Sequence, residues 1–187
     1  MHPSDPQAPE LVRAIEEERA RKDEYFRLAP DSPIPPDERD GFAGLAYFPV
    51  DPEYRLEGLT LDAYDGDEPE AFDLPTSDDD LRRAWRAGTL HFSLAGRPLA
   101  LVAYDLGGGS LFLPFLDATS GRETYGAGRY LDLEPELDGT FTLDFNLAYH
   151  PYCAYSPYYS CPLTPPENRL PVRIEAGERL AGTAAAA

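Results

Sequence analysis

The sequence predicts a mainly β, α+β domain: an antiparallel sheet forming a partial barrel or sandwich, with an N-terminal helix and one short internal helix. Three observations carry this. The 187 residues set one domain as the default, and 42% hydrophobic residues are enough for a core. One stretch near the start has helical periodicity. From about residue 90 onward the period is two, with glycine-rich turns between short runs.

Residues 1–9 carry Pro3, Pro6 and Pro9 and read as a disordered lead. Glu10 to Ala29 is amphipathic over about five turns. Leu11, Ile15, Lys22, Tyr25, Phe26 and Ala29 fall near one face, and Glu16, Glu17, Arg19, Arg21 and Asp23 on the other. No apolar residue sits near Glu18 and Arg19, so docking is expected at the helix ends. Pro30 and the prolines from Pro33 to Pro36 stop it. Phe42 to Val50 reads as extended, and Tyr54 to Ala63 as strand with Gly58 at a bulge.

From Asp62 to Asp80 there are nine acidic residues and no basic one. This reads as a solvated loop or polar hairpin end. Its spacing does not match a calcium loop. Ser77 followed by Asp78, Asp79 and Asp80 reads as a helix start, with carboxylates near the positive end of the dipole. That places the internal helix at Asp78 to Ala87, anchored by Trp85 and stopped by Gly88. Strands are then expected at Leu90–Leu94, Pro98–Asp105 and Ser110–Leu116. Arg129–Leu133 and Thr140–Phe145 are expected to pair through a turn at Asp138-Gly139, and Pro171–Glu175 reads as a last edge strand. Residues 10–180 form the domain and 181–187 a frayed tail.

A net charge of −18, with Lys22 the one lysine among sixteen basic residues, argues against nucleic acid and against anionic lipid. No secretory h-region and no apolar run of membrane-span length is present, so a soluble, cytoplasmic protein is expected. Oligomeric state is left open. Cys153 and Cys161 are then expected as free thiols.

The groups able to bind or react concentrate between Pro114 and Leu170. Seven of the twelve tyrosines lie from Tyr125 to Tyr159. The glycines of Gly126-Ala127-Gly128 free backbone N–H groups, and Arg122 and Arg129 flank them. Together they suit a small anionic ligand, while a plain tight turn is the alternative. Asp144 and Asn146 alternate onto one face at a strand end. The candidate ligand-binding residues are therefore Arg122, Glu123, Tyr125, Arg129, Asp144 and Asn146. Cys153, Glu123 and Asp144 are the catalytic candidates, with His150 or His91 as a base for Cys153. His150, Cys153 and Cys161 supply three metal ligands at most, so no metal is expected. No cofactor motif is present. The loop from Leu147 to Leu170 carries five tyrosines and is expected to pack, as a wrap or as a lid.

The strings Tyr47-Phe48-Pro49-Val50-Asp51-Pro52, Asp117-Ala118-Thr119-Ser120-Gly121-Arg122-Glu123-Thr124-Tyr125-Gly126-Ala127-Gly128-Arg129-Tyr130-Leu131 and Asp144-Phe145-Asn146 resemble one large prokaryotic family. Pro151-Tyr152-Cys153-Ala154-Tyr155, Cys161-Pro162-Leu163 and Glu167-Asn168-Arg169-Leu170 extend the match. It is the domain-of-unknown-function family number sixteen-eighty-four. The resemblance runs from the first helix to Glu178 and implies no particular activity. The family typically places asparagine at the position of His150. The leading functional reading is a small-molecule-binding β-barrel domain, with hydrolytic or transfer activity as an option. Small flavin-binding split barrels offer an analogy of fold alone. The alternatives are a structural or protein-interaction domain with an internal ion-pair network, and a cysteine-dependent enzyme.

Overall fold

The computed structural model describes residues 8–66, 71–107 and 109–182. The lead read at residues 1–9 and the tail at 181–187 lie largely outside these residues, as do part of the acidic run and the middle of the Gly107–Gly109 turn. Helix α1 spans Ala8–Leu28. Strands β1 (Ala46–Tyr47), β2 (Arg55–Leu59), β3 (Leu61–Ala63), β4 (Ala71–Pro75), β5 (Leu81–Leu94), β6 (Arg97–Asp105), β7 (Leu111–Phe115), β8 (Arg129–Leu133), β9 (Phe141–Asp144) and β10 (Glu178–Arg179) follow.

All strand ladders are antiparallel. The main sheet runs β3-β5-β6-β7-β8, with β4 on the same edge of β5 as β3; β2 pairs with β9, and β1 with β10. Among the described residues the sheet does not close, so the barrel reading gives way to open antiparallel sheets around a shared core. The alternation of β6, β7 and β8 splits their side chains between two faces. Leu101, Ala103, Leu113, Phe115, Leu131 and Leu133 join Leu143 and Phe145 and the apolar side chains of residues 170–176 in the main core. Tyr104, Phe112 and Tyr130 face the other way, into a second cluster with Tyr149, Tyr152, Cys153, Tyr159 and Cys161.

Three expectations are corrected. The internal helix at Asp78–Ala87 does not form; β5 begins at Leu81 and pairs with β4 from Leu81 to Trp85. The Ser-Asp-Asp-Asp signal is a hairpin turn instead. Thr76 N–H donates to Asp80 O at 2.9 Å, Thr76 Oγ1 bonds Asp78 Oδ1 at 2.7 Å, and Asp79 has φ +63°. Short polar side chains that cap helices also close turns, and no apolar face follows to choose the helix. Trp85 stands partly exposed, and Gly88 lies inside β5, where a Cβ would meet Asp62 O at 2.3 Å. Second, β8 and β9 do not pair; β8 pairs with β7 and β9 with β2. Third, Pro171–Glu175 forms no strand and bends at Pro171 and Val172, and the last strand among the described residues is β10.

The middle of α1 docks after all, through polar groups. Arg19 lies over the Tyr47 ring and donates to Phe48 O at 3.0 Å and Asn146 O at 3.2 Å. Lys22 pairs with Glu178, and Asp23 accepts from Leu45 N at 2.9 Å. Phe26 is buried against Tyr152, Tyr155 and Phe42. Among the described residues no helix is long and apolar enough to cross a membrane.

Asn168 bridges β6 and β7 where their ladder stops. It accepts from Val102 N and donates to Val102 O and Pro114 O, each at 2.8 Å. Asn168→Ala leaves those buried groups unsatisfied, at about 1–3 kcal/mol each. Urea unfolding of that variant is expected to show a loss of about 3 kcal/mol or more. A change below about 1 kcal/mol would remove the bridging role.

Candidate functional site

Arg129 opens β8 on the core-facing side and has no exposed surface. Its guanidinium donates to Ile174 O at 2.8 Å, Glu178 O at 3.3 Å and Ala176 O. Asp117 Oδ1 lies 3.5 Å away, and the Phe115 ring 5.1 Å below. Burial pulls the Arg129 pKa down and the Asp117 charge opposes it. The group stays charged, because a free guanidinium titrates above about 12. The preceding glycines form a turn in which Gly128 N donates to Tyr125 O at 3.1 Å. Gly128 has φ +105°, and a Cβ there would lie 2.6 Å from Phe115 O.

The structure distributes the predicted residues among separate clusters. Asp144 and Asn146 do come together: Asp144 Oδ1 accepts Asn146 Nδ2 at 2.9 Å, and Asp144 Oδ2 takes Arg55 at 3.0 Å. Asn146 then reads the backbone of Asp51 with both ends of its amide, at 2.9 and 2.8 Å. Glu123 pairs with Arg173 at 2.6 Å, and its other oxygen has no partner among the described residues. Arg122 is exposed. Tyr125 sits beside His150 and Cys153.

His150 is not joined to Cys153 by any hydrogen bond among the described residues. Its Nε2 accepts Tyr125 N–H at 3.2 Å, which makes it a neutral ring with the proton on Nδ1. Burial, then the charges of Arg129 and Lys22, lower its pKa to about 3. The 3.8 Å approach of Nδ1 to Glu178 is therefore no ion pair. Glu178 is occupied instead by Lys22, by His150 N–H at 2.7 Å and by Tyr155 O–H at 2.6 Å. His91, the other base considered, is exposed and lies 3.5 Å from Asp62.

On the opposite face of the sheet a cleft of about 550 Å³ opens among Lys22, Arg82, Phe112, Tyr130, Asp132, Tyr149, Tyr152, Tyr159 and Cys161. Its rings brace one another. Tyr130 meets Phe112 at 4.7 Å and Tyr149 at 5.8 Å, and Tyr152 meets Tyr159 at 5.2 Å, all edge-to-face. Tyr149 O–H donates to Asp132 at 2.6 Å, and Tyr130 O–H to Pro162 O. Lys22 Nζ lies 4.8 Å above the Tyr149 ring. The Arg82 guanidinium forms no hydrogen bond or ion pair with a described residue, while its backbone lies in the β4–β5 ladder.

Cys153 and Cys161 are free thiols within hydrogen-bond reach of each other, and Cys153 N–H points at Cys161 Sγ at 3.4 Å. The Cys161 thiol, then the Tyr125 and Ser77 hydroxyls, stabilise the Cys153 thiolate and lower its pKa to about 6, against an opposing effect of burial. The same shared proton pushes Cys161 up. Among the described residues no group of three or more His, Cys, Asp and Glu is placed to hold a metal ion.

A family model described as "Protein of unknown function (DUF1684)" matches residues 40–179. The chain belongs to this family. It is also similar to an uncharacterised protein of Haloarcula marismortui with a solved solution NMR structure: 42% identity, TM-score 0.68, covering 93% of this chain and 96% of that one. No curated protein matches the chain.

In this DUF1684 chain, sequence reasoning missed Lys22, Arg82, Asp117 and Glu178 as organising groups. Lys22 carried a signal as the sole lysine on an otherwise apolar helix face. Asp117 and Glu178 carried no signal of these roles, since the groups they hold together lie far apart in the chain: Arg129 and Ile174 N–H at Asp117, Lys22, His150 N–H and Tyr155 at Glu178. Removing Asp117 leaves Arg129 buried without its carboxylate, so Asp117→Ala is expected to cost about 3–5 kcal/mol in chemical denaturation. His150 titrates lower folded than unfolded, so the unfolded chain binds the extra proton between about pH 6.5 and 3. Stability therefore falls as pH drops through that window. In His150→Asn this part of the loss should vanish; thermal unfolding from pH 7 to 4 with the same slope in both proteins would refute it.

Proposed function

We propose that this DUF1684 domain binds a small, ring-bearing anion in the cleft beside Lys22 and Arg82. The single observation that supports this most is the cleft itself. Its volume, about 550 Å³, is in the range of small-molecule sites, and tyrosine and phenylalanine rings wall it. The rings offer stacking surface at low entropy cost. Arg82 is an unengaged guanidinium at the rim, suited to a carboxylate or phosphate fork. Lys22 is tied to Glu178 and lends less charge. On this reading Arg129, Asp144, Asn146 and Glu123 hold the frame, and Tyr125 supports the cysteine pair. Binding is proposed without hydrolysis, because Nε2 of His150, the base considered for Cys153, is taken by Tyr125 N–H and makes no hydrogen bond to the thiol. A cytoplasmic setting remains part of this proposal.

A second reading has an observation of its own. The two terminal nitrogens of Arg129 meet the chain's own carbonyls, and Glu178 meets Lys22, the His150 amide and the Tyr155 hydroxyl, as a structural domain with an internal ion-pair network requires. Titration of benzoate and phenyl phosphate, followed by tyrosine-ring NMR shifts, separates the two. The expected result is saturable shifts at Tyr149, Tyr152 and Tyr159, weakened about tenfold, or about 1.4 kcal/mol, in Arg82→Glu. Arg82 is exposed, so that variant should fold normally. Equal shifts with and without the charge reversal, or none, would leave the structural reading.

A further inference from the structure

We propose that Cys153 and Cys161 form a redox-active dithiol that exchanges with small-molecule disulfides and closes to an intramolecular bond. This does not rest on the ligand reading. The chain has two cysteines, eight positions apart, and the fold brings their thiols into mutual contact. They are not equivalent. Cys153 is half-buried, while Cys161 is buried on the cleft wall. Donors converge on the pair: Tyr125 O–H and Cys161 S–H on Cys153, and Cys153 N–H on Cys161 Sγ. The Ser77 hydroxyl accepts Cys161 N–H at 3.2 Å and can donate to Cys153 or to Tyr159 O, which lies 3.3 Å away. Such a shell favours thiolate at Cys153 and makes it the attacking sulfur.

The chemistry balances as two exchanges. The Cys153 thiolate attacks one sulfur of the small disulfide. A mixed disulfide forms, the original sulfur–sulfur bond breaks, and one thiolate leaves and takes a proton from solvent. Cys161 then attacks Cys153 Sγ. The protein disulfide forms, the mixed one breaks, and the second thiol departs with the proton that Cys161 gives up. Two protein thiols are oxidised and one small disulfide is reduced to two thiols. Closure removes the Cys161 thiol from the cleft wall.

The probe is bis(2-hydroxyethyl) disulfide, which is uncharged and needs no cationic cleft, so its outcome is separate from that of anion binding. Intact-mass measurement of the wild-type chain is expected to show loss of two hydrogens with no adduct retained. Cys161→Ser should hold one stable adduct on Cys153, and Cys153→Ser should react at least tenfold more slowly. On the unaltered protein, the alkylation rate of Cys153 against pH should inflect near pH 6, and Tyr125→Phe should move the inflection upward. The inflection is the useful readout, because a less basic thiolate is also intrinsically less nucleophilic. Adducts retained on both wild-type cysteines, no reaction, or an inflection above about pH 8 as for a free thiol would overturn the proposal.

Discussion

A buried guanidinium must find acceptors for its donors, and at Arg129 that requirement organises the C-terminal third of the chain. Residues 170–177 form no regular ladder on the Arg129 side. The carbonyls of Ile174, Ala176 and Glu178 converge on Arg129 as they would on a neighbouring strand. Asp117 completes the arrangement from the other side, accepting Ile174 N–H at 2.7 Å and the Thr119 hydroxyl at 2.8 Å. One side chain thus fixes β8, the 117–124 turn and the returning C-terminal segment together. A flexible ammonium would not supply the planar fork that three carbonyls and a carboxylate need.

The helix is attached by the same logic. Its middle turn has no apolar ridge, so Arg19 and Lys22 replace it. Arg19 bonds two carbonyls, and Lys22 meets a Glu178 that also accepts His150 N–H and Tyr155 O–H. A buried ion pair adds little net stability over an apolar contact, but it fixes register strictly, because any slip strands a charge. Glu178 therefore ties three parts of the chain to β10: the helix, the tyrosine loop and the His150 turn. Since Lys22 also lines the cleft, the cleft's position follows from the packing of the core.

Much of the sheet was legible because alternation is a local property. Arg129–Leu133 was read with its observed ends, and β6 and β7 to within one residue at each end. Errors arose where one local signal serves two structures, as at Ser77–Asp80, or where partner choice is non-local, as for β9. The site was harder for a related reason. Arg129, Asp144 and Asn146 stand out in the sequence as candidate ligand-binding residues, yet Arg129 and Asn146 meet backbone atoms of distant segments, residues 174–178 and Asp51, and Asp144 meets Arg55 and Asn146. Carbonyl acceptors leave no mark on a sequence. The cleft was hidden likewise, since it forms only when Lys22 and Arg82, 60 positions apart, meet tyrosines from β8 and the long loop.

The loop from Leu147 to Leu170 shows how a long irregular segment can be ordered enough to carry chemistry. Its start is pinned by reciprocal backbone bonds between Tyr130 and Tyr149, at 2.8 and 3.0 Å. Farther along, Ser77 N–H bonds Cys161 O at 2.9 Å and Leu163 N–H bonds Pro75 O at 2.8 Å. Tyr152 and Tyr155 pack against Phe26 of the helix, and burial raises the pKa of Tyr155, so it stays a neutral donor to Glu178. The part left free between these anchors is short, and its apex at Tyr158 is exposed. Cys161 is one of these anchors, Cys153 lies inside them, and the apex lies between the two cysteines. A change in the bond between the two sulfurs would therefore fall first on the apex, while the ring wall of the cleft is held by its own contacts.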